Sequence, residues 1–111
     1  MSIEKHLKEL LIHQLRQKLS KLKQDVELVE NPPPDLKIMS YGVVLGYIDV
    51  VTEKTVSNQR VKRWKELVFS GEKLTVLLSK EEKLKITEIL WKEGIAEKVS
   101  IGTYEIVLLL P

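Results

Sequence analysis

The 111-residue sequence predicts an α/β domain, a mixed sheet carrying helices in the order α-β-β-β-α-β-α-β. Three observations predict it. Residues 3–23 carry an apolar stripe at helical spacing. Residues 26–51 hold three β-rich runs, divided by Asn31-Pro32-Pro33-Pro34 and by Tyr41-Gly42. Residues 57–110 then alternate helix and strand patterns, and a strand–helix–strand crossover of that length demands parallel pairing of its two strands.

The first helix rests on Ile3, Leu7, Leu10, Leu11, Leu15, Leu19 and Leu22, spaced three and four apart, with Lys5, Lys8, Glu9, His13, Arg16 and Lys23 largely off the stripe. The stripe fits packing on the domain's own sheet, or a coiled-coil partner over about three heptads. Val26 to Val29 reads as a first strand. The prolines stop it, since proline lacks an N–H and restricts its predecessor. Leu36 to Ser40 and Val43 to Val51 follow as the other strands of an antiparallel meander.

A helix is expected from about Ser57 to Ser70, capped by Ser57 or Asn58 and closed by Gly71. Leu74 to Leu78 reads as a buried strand. Ser79-Lys80-Glu81-Glu82 has capping-box spacing and opens a helix bearing Leu84, Ile86, Ile89 and Leu90, which ends near Gly94. Thr103 to Leu110 is the expected last strand, whose Ile106-Val107-Leu108-Leu109-Leu110 would be a sticky edge if exposed.

A chain of this length fits a single domain over 1–111 with one core. A hydrophobic fraction of 43% and a charged fraction of 31% fit a globular protein. Eighteen basic and sixteen acidic residues leave a net charge of +2, so any electrostatic footprint must come from local clustering. No cysteine is present, which removes disulfides, zinc ribbons and thiol nucleophiles. No apolar run approaches the length of a membrane span, and the first residues carry no secretory pattern. The expectation is a cytoplasmic protein without membrane contact.

Asp49 is out of character inside the run Gly46-Tyr47-Ile48-Asp49-Val50-Val51. By strand alternation Tyr47, Asp49 and Val51 share one face. A buried carboxylate there needs a partner, a hydrogen bond or a metal; a solvated strand end or a lysine pair would also account for it. Asp35 opens the preceding strand, and a hairpin brings it close to Asp49. Read alone, Asp35 is also an ordinary turn residue. Two converging carboxylates repel, and Mg2+, a hard ion that keeps several waters, relieves such repulsion and activates water.

With Pro34-Asp35 opening one strand and Ile48-Asp49-Val50-Val51 on the next, the chain resembles the PD-(D/E)xK nuclease superfamily, with its restriction-endonuclease-like mixed sheet. The likeness spans most of the chain. It implies Asp35 and Asp49 as catalytic metal ligands for Mg2+, framed by the Ile48 and Val50 backbone, and DNA as substrate. The family's lysine would stand at 51, where this chain has Val51. Lys37 shares a face with Asp35 and is the candidate replacement; Lys62 or Lys65 can reach in from the next helix, whereas Lys54 faces the wrong side. A first-helix acid is also common in the family. Glu4 lies near the stripe, Glu9 lies opposite it, and Gln14 sits at its edge as a non-ligand.

Residues 58–65, Asn-Gln-Arg-Val-Lys-Arg-Trp-Lys, form the densest basic patch. Gln59, Arg60, Lys62 and Arg63 are the candidate nucleic-acid contacts, or else a solvated helix face. Trp64 falls in register with Val61, Leu67 and Val68, and so belongs to the core. His6 and His13 have no third ligand nearby, which argues against zinc. Three functional readings follow: a Mg2+-dependent endonuclease, dimeric because so small a chain needs two copies to grip duplex or branched DNA; a catalytically inactive nuclease-like fold serving as a nucleic-acid-binding or interaction domain; or an unrelated α/β assembly domain acting through the first helix or last strand.

Overall fold

A computed structural model of the chain describes residues 3–52 and 55–104, and in the first helix the side chains from Glu9 onward. The elements are α1 (Ile3–Ser20), β1 (Asp25–Leu28), β2 (Leu36–Ser40), β3 (Val43–Val50), α2 (Asn58–Phe69), β4 (Leu74–Ser79), α3 (Lys83–Lys92) and β5 (Val99–Tyr104). Over the described residues the fold is α/β, a five-stranded mixed sheet with three α-helices. Strand order in space follows the chain, β1-β2-β3-β4-β5. The first two pairings are antiparallel and the last two parallel. The hairpin between β2 and β3 turns through Tyr41 and Gly42, both at positive φ (50° and 78°), as a two-residue type I′ turn requires.

Alternation along β3 splits the core into two layers. Ile48 and Val50 join Leu36, Val26, Leu77 and Leu11, with Leu15 and Leu19 of α1 packed against them. On the other side, Val51 joins Leu74, Val76 and Leu78 with Val61, Trp64, Leu67 and Val68 of α2 and Ile86 and Leu90 of α3. The sheet therefore separates α1 from α2 and α3. A 2.6 Å ion pair from Lys65 to Glu93 ties α2 to the end of α3 and holds the Glu93 carboxyl below its ordinary range.

Three helix ends share one device. After α1, Lys23 N–H donates to Ser20 O and Gln24 N–H to Leu19 O; Gly71 and Glu72 repeat the pattern on Val68 and Leu67, and Gly94 and Ile95 repeat it on Trp91 and Leu90. These are Schellman closures. Gly71 and Gly94 take the left-handed residue without strain, at φ 90° and 75°. Lys23 takes it at φ 58°, a signal the sequence does not carry. For that reason α1 ends at Ser20 rather than at 23, and Leu22 is exposed.

Two further expectations differ. The Ser79 capping box does not form: Ser79 stays in the ladder opposite Tyr104, makes no side-chain cap bond, and a 3-10 turn over Lys80–Glu82 precedes α3. The last strand begins at Val99, four residues earlier than expected. A side chain at Gly102 would meet Leu77 Cδ1 at 3.2 Å, so the small residue suits the packed ladder. The expected continuation over 106–110 lies outside the described residues.

Candidate functional site

Asp35 and Asp49 do converge. β2 and β3 pair with Leu36 opposite Ile48 and Lys37 opposite Tyr47. Continuing that register by one step puts Asp35 opposite Asp49. Both face the α2 layer, and both are buried, at 6% and 0% exposure. Asp49 sits at the carboxyl end of β3, beside the first turn of α2. That turn is fixed by Ser57, whose hydroxyl accepts from the Arg60 N–H at 3.1 Å.

The partners of these carboxylates come from α2. Arg60 Nη1 donates to Asp49 Oδ1 at 2.5 Å and lies 3.6 Å from Asp35 Oδ2. Trp64 Nε1 donates to the other Asp49 oxygen at 2.6 Å. The Val50 N–H donates to Asp35 Oδ2 at 3.1 Å. Arg60 and Trp64 are one helical turn apart, so they share the face that also buries Val61, Leu67 and Val68. No buried side-chain polar atom is orphaned among the described residues.

Burial raises the Asp49 pKa to about 6, against the Trp64 hydrogen bond and the Arg60 charge, which lower it; the neighbouring Asp35 adds to the rise.

This arrangement does not fit a hydrated Mg2+. Such an ion keeps several waters and needs open carboxylate lone pairs. Both oxygens of Asp49 are engaged, its surface is closed to solvent, and a guanidinium occupies the angle between the acids. Among the described residues no group of three or more His, Cys, Asp or Glu gathers as a metal cluster.

The other candidates are dispersed. Lys37 shares the Asp35 face as expected, but its ammonium lies 3.8 Å from Glu27 on β1. Lys65 is held by Glu93. Lys54 and the Glu4 side chain lie outside the described residues. Glu9 is exposed, and Gln14 lines a groove with Leu11, Leu15 and Tyr104 on the α1 side, across the sheet from the acids. Of the four nucleic-acid candidates, Arg60 is turned inward, because the buried acids attract it more than solvent does; its side chain is 16% exposed. Gln59, Lys62 and Arg63 are exposed and line a groove of about 300 Å3 with Asn31, Pro32 and Pro33. Arg63 pairs with Glu66 at 3.2 Å on the helix surface.

Sequence reasoning missed two functional roles here, Arg60 as counter-ion and Trp64 as hydrogen-bond donor. The available signal was the i, i+4 spacing that puts an arginine on the same stripe as a core tryptophan. Compared with protein families, curated proteins and solved structures, the chain matches none.

Proposed function

We propose that this chain is a nuclease-like domain without metal-dependent catalysis, and that it binds nucleic acid. One observation carries the first half: Arg60 reaches both carboxylates of the acidic pair, where a nuclease would need a hydrated metal. Pro34-Asp35 and Asp49 on adjacent strands, with Val51 in place of lysine, support kinship with the PD-(D/E)xK nucleases and loss of their chemistry. The fold places this region at the carboxyl end of β3, where open α/β sheets place their ligands.

The binding half rests on the outer face of α2. Gln59, Lys62 and Arg63 stand exposed beside Pro32 and Pro33. The Arg63–Glu66 pair lies at the surface, where such a pair is worth little, so a phosphate oxygen competes for the guanidinium. Two cations make a small footprint, and two copies of the chain on one DNA would double it.

Fluorescence anisotropy with duplex, flapped and four-way DNA tests the reading. Two phosphate contacts give a log–log salt slope of about −2. Lys62→Ala with Arg63→Ala removes most of the binding and flattens the slope; binding that ignores both substitutions rules this face out. The convergence of Asp35 with Asp49 favours a second reading, a Mg2+-dependent endonuclease in which Arg60 withdraws on substrate binding. Cleavage of the same DNAs in Mg2+ or Mn2+, lost in Asp49→Asn, would establish that reading instead.

A further inference from the structure

Like charges directly opposite one another on antiparallel strands repel. Burial strengthens the repulsion, because a poorly polarisable surrounding screens less than water. Asp35 and Asp49 stand in that relation, and both are buried. The pair requires a cation. Arg60 supplies one: its planar guanidinium is always charged, holds water weakly and reaches both acids at once.

Arg60 is also held in place by the rest of α2. Its own N–H is bound by the Ser57 cap. Its neighbour Val61 is buried, and Trp64, one turn on, is fully buried and bonded to the second oxygen of Asp49. The guanidinium is thus tethered at high effective concentration, which a free ion in solution must outcompete.

We infer that Arg60 is the resident cation of the Asp35–Asp49 pair, seated where a divalent metal would have to bind, so that α2 docks on the sheet without metal. The inference concerns the interior face of α2 and stands whether or not the outer face binds nucleic acid.

The test is thermal unfolding of the whole chain at about pH 8, where carboxylates are ionised, in chelator, in Mg2+ and in Mn2+. The wild type has the same Tm in all three. Arg60→Ala has a lower Tm in chelator and regains several degrees in Mn2+, since an ion bound only by the folded state raises Tm by mass action. The gain disappears when Asp49→Asn is added.

A wild-type Tm that rises in Mn2+ and no longer does so in Asp49→Asn overturns the inference, because a metal then displaces Arg60. So does a folded Arg60→Ala that ignores the ion. If Arg60→Ala is unfolded in chelator, refolding in Mn2+ supports the inference, and failure to refold contradicts it. Arg60→Lys keeps a cation in place and is expected to fold in chelator and ignore both ions; a metal response from this variant contradicts the inference as well.

Discussion

The two faces of β3 are built from the same eight-residue strand, yet they are held by different forces. Toward α1, Ile48 and Val50 meet Leu36, Val26, Leu77 and Leu11, an apolar layer with no titrating group among those side chains. Toward α2, Asp49 stands within the core beside Val51, and its contacts are an ion pair and an indole hydrogen bond. The first face depends on area removed from water and on packing. The second depends on charge balance as well, because removing one partner leaves a buried charge uncompensated. One face should therefore ignore pH and the other should not.

The largest break is expected at Trp64. Trp64→Ala opens a cavity in the α2 layer and orphans an oxygen of Asp49; large-to-small changes of this kind, with the lost donor, cost about 5 kcal/mol in urea unfolding. Trp64→Phe keeps most of the ring and removes the N–H, so it isolates the polar share, expected at about 1–3 kcal/mol.

Next come two substitutions of comparable size and different character. Arg60→Ala should cost about 3–5 kcal/mol near neutral pH, the usual penalty for breaking a buried pair. The cost should shrink in acid, where the carboxyls take up protons. Leu36→Ala, on the α1 face, should cost about 2–5 kcal/mol and the same amount at both pH values. Equal pH dependence in the two variants would erase the distinction between the faces.

A smaller effect concerns Asp49 itself. Its folded pKa of about 6 lies above the ordinary value of 3.8. Below 3.8 the carboxyl is protonated folded and unfolded, and the contribution is fully present. Between the two values the unfolded chain ionises while the folded chain keeps its proton, so stability falls as pH rises through about 6. A shift of this size corresponds to about 3 kcal/mol. The wild type minus Asp49→Asn difference in unfolding free energy, followed from pH 4 to 8, isolates the contribution. A difference that stays flat would contradict it.

Much of this architecture is legible before any coordinates. The Ser57 cap, Gly71 and Gly94 mark helix ends through local chemistry, and alternation alone places Asp49 and Val51 together. Hairpin register, an extension of the same logic, brings Asp35 opposite Asp49. The rest depends on contacts distant in sequence. The charge of Arg60 suggests an outward side chain; only the docking of α2 turns this residue, eleven positions beyond Asp49, inward. The β5 boundary is obscured because Gly102, a residue of low β propensity, suits its ladder by being small. Lys23 ends α1 in a left-handed conformation that few non-glycine residues adopt.

The central claim for this site is an acidic pair closed by the chain's own cation. The most direct measurement is the Trp64 indole N–H resonance, assigned by its loss in Trp64→Phe, during a Mn2+ titration of the wild-type protein. Paramagnetic Mn2+ bound at Asp49 would sit within a few ångströms of that proton. The account predicts a resonance that stays sharp throughout. Saturable broadening, abolished by Asp49→Asn, would contradict it.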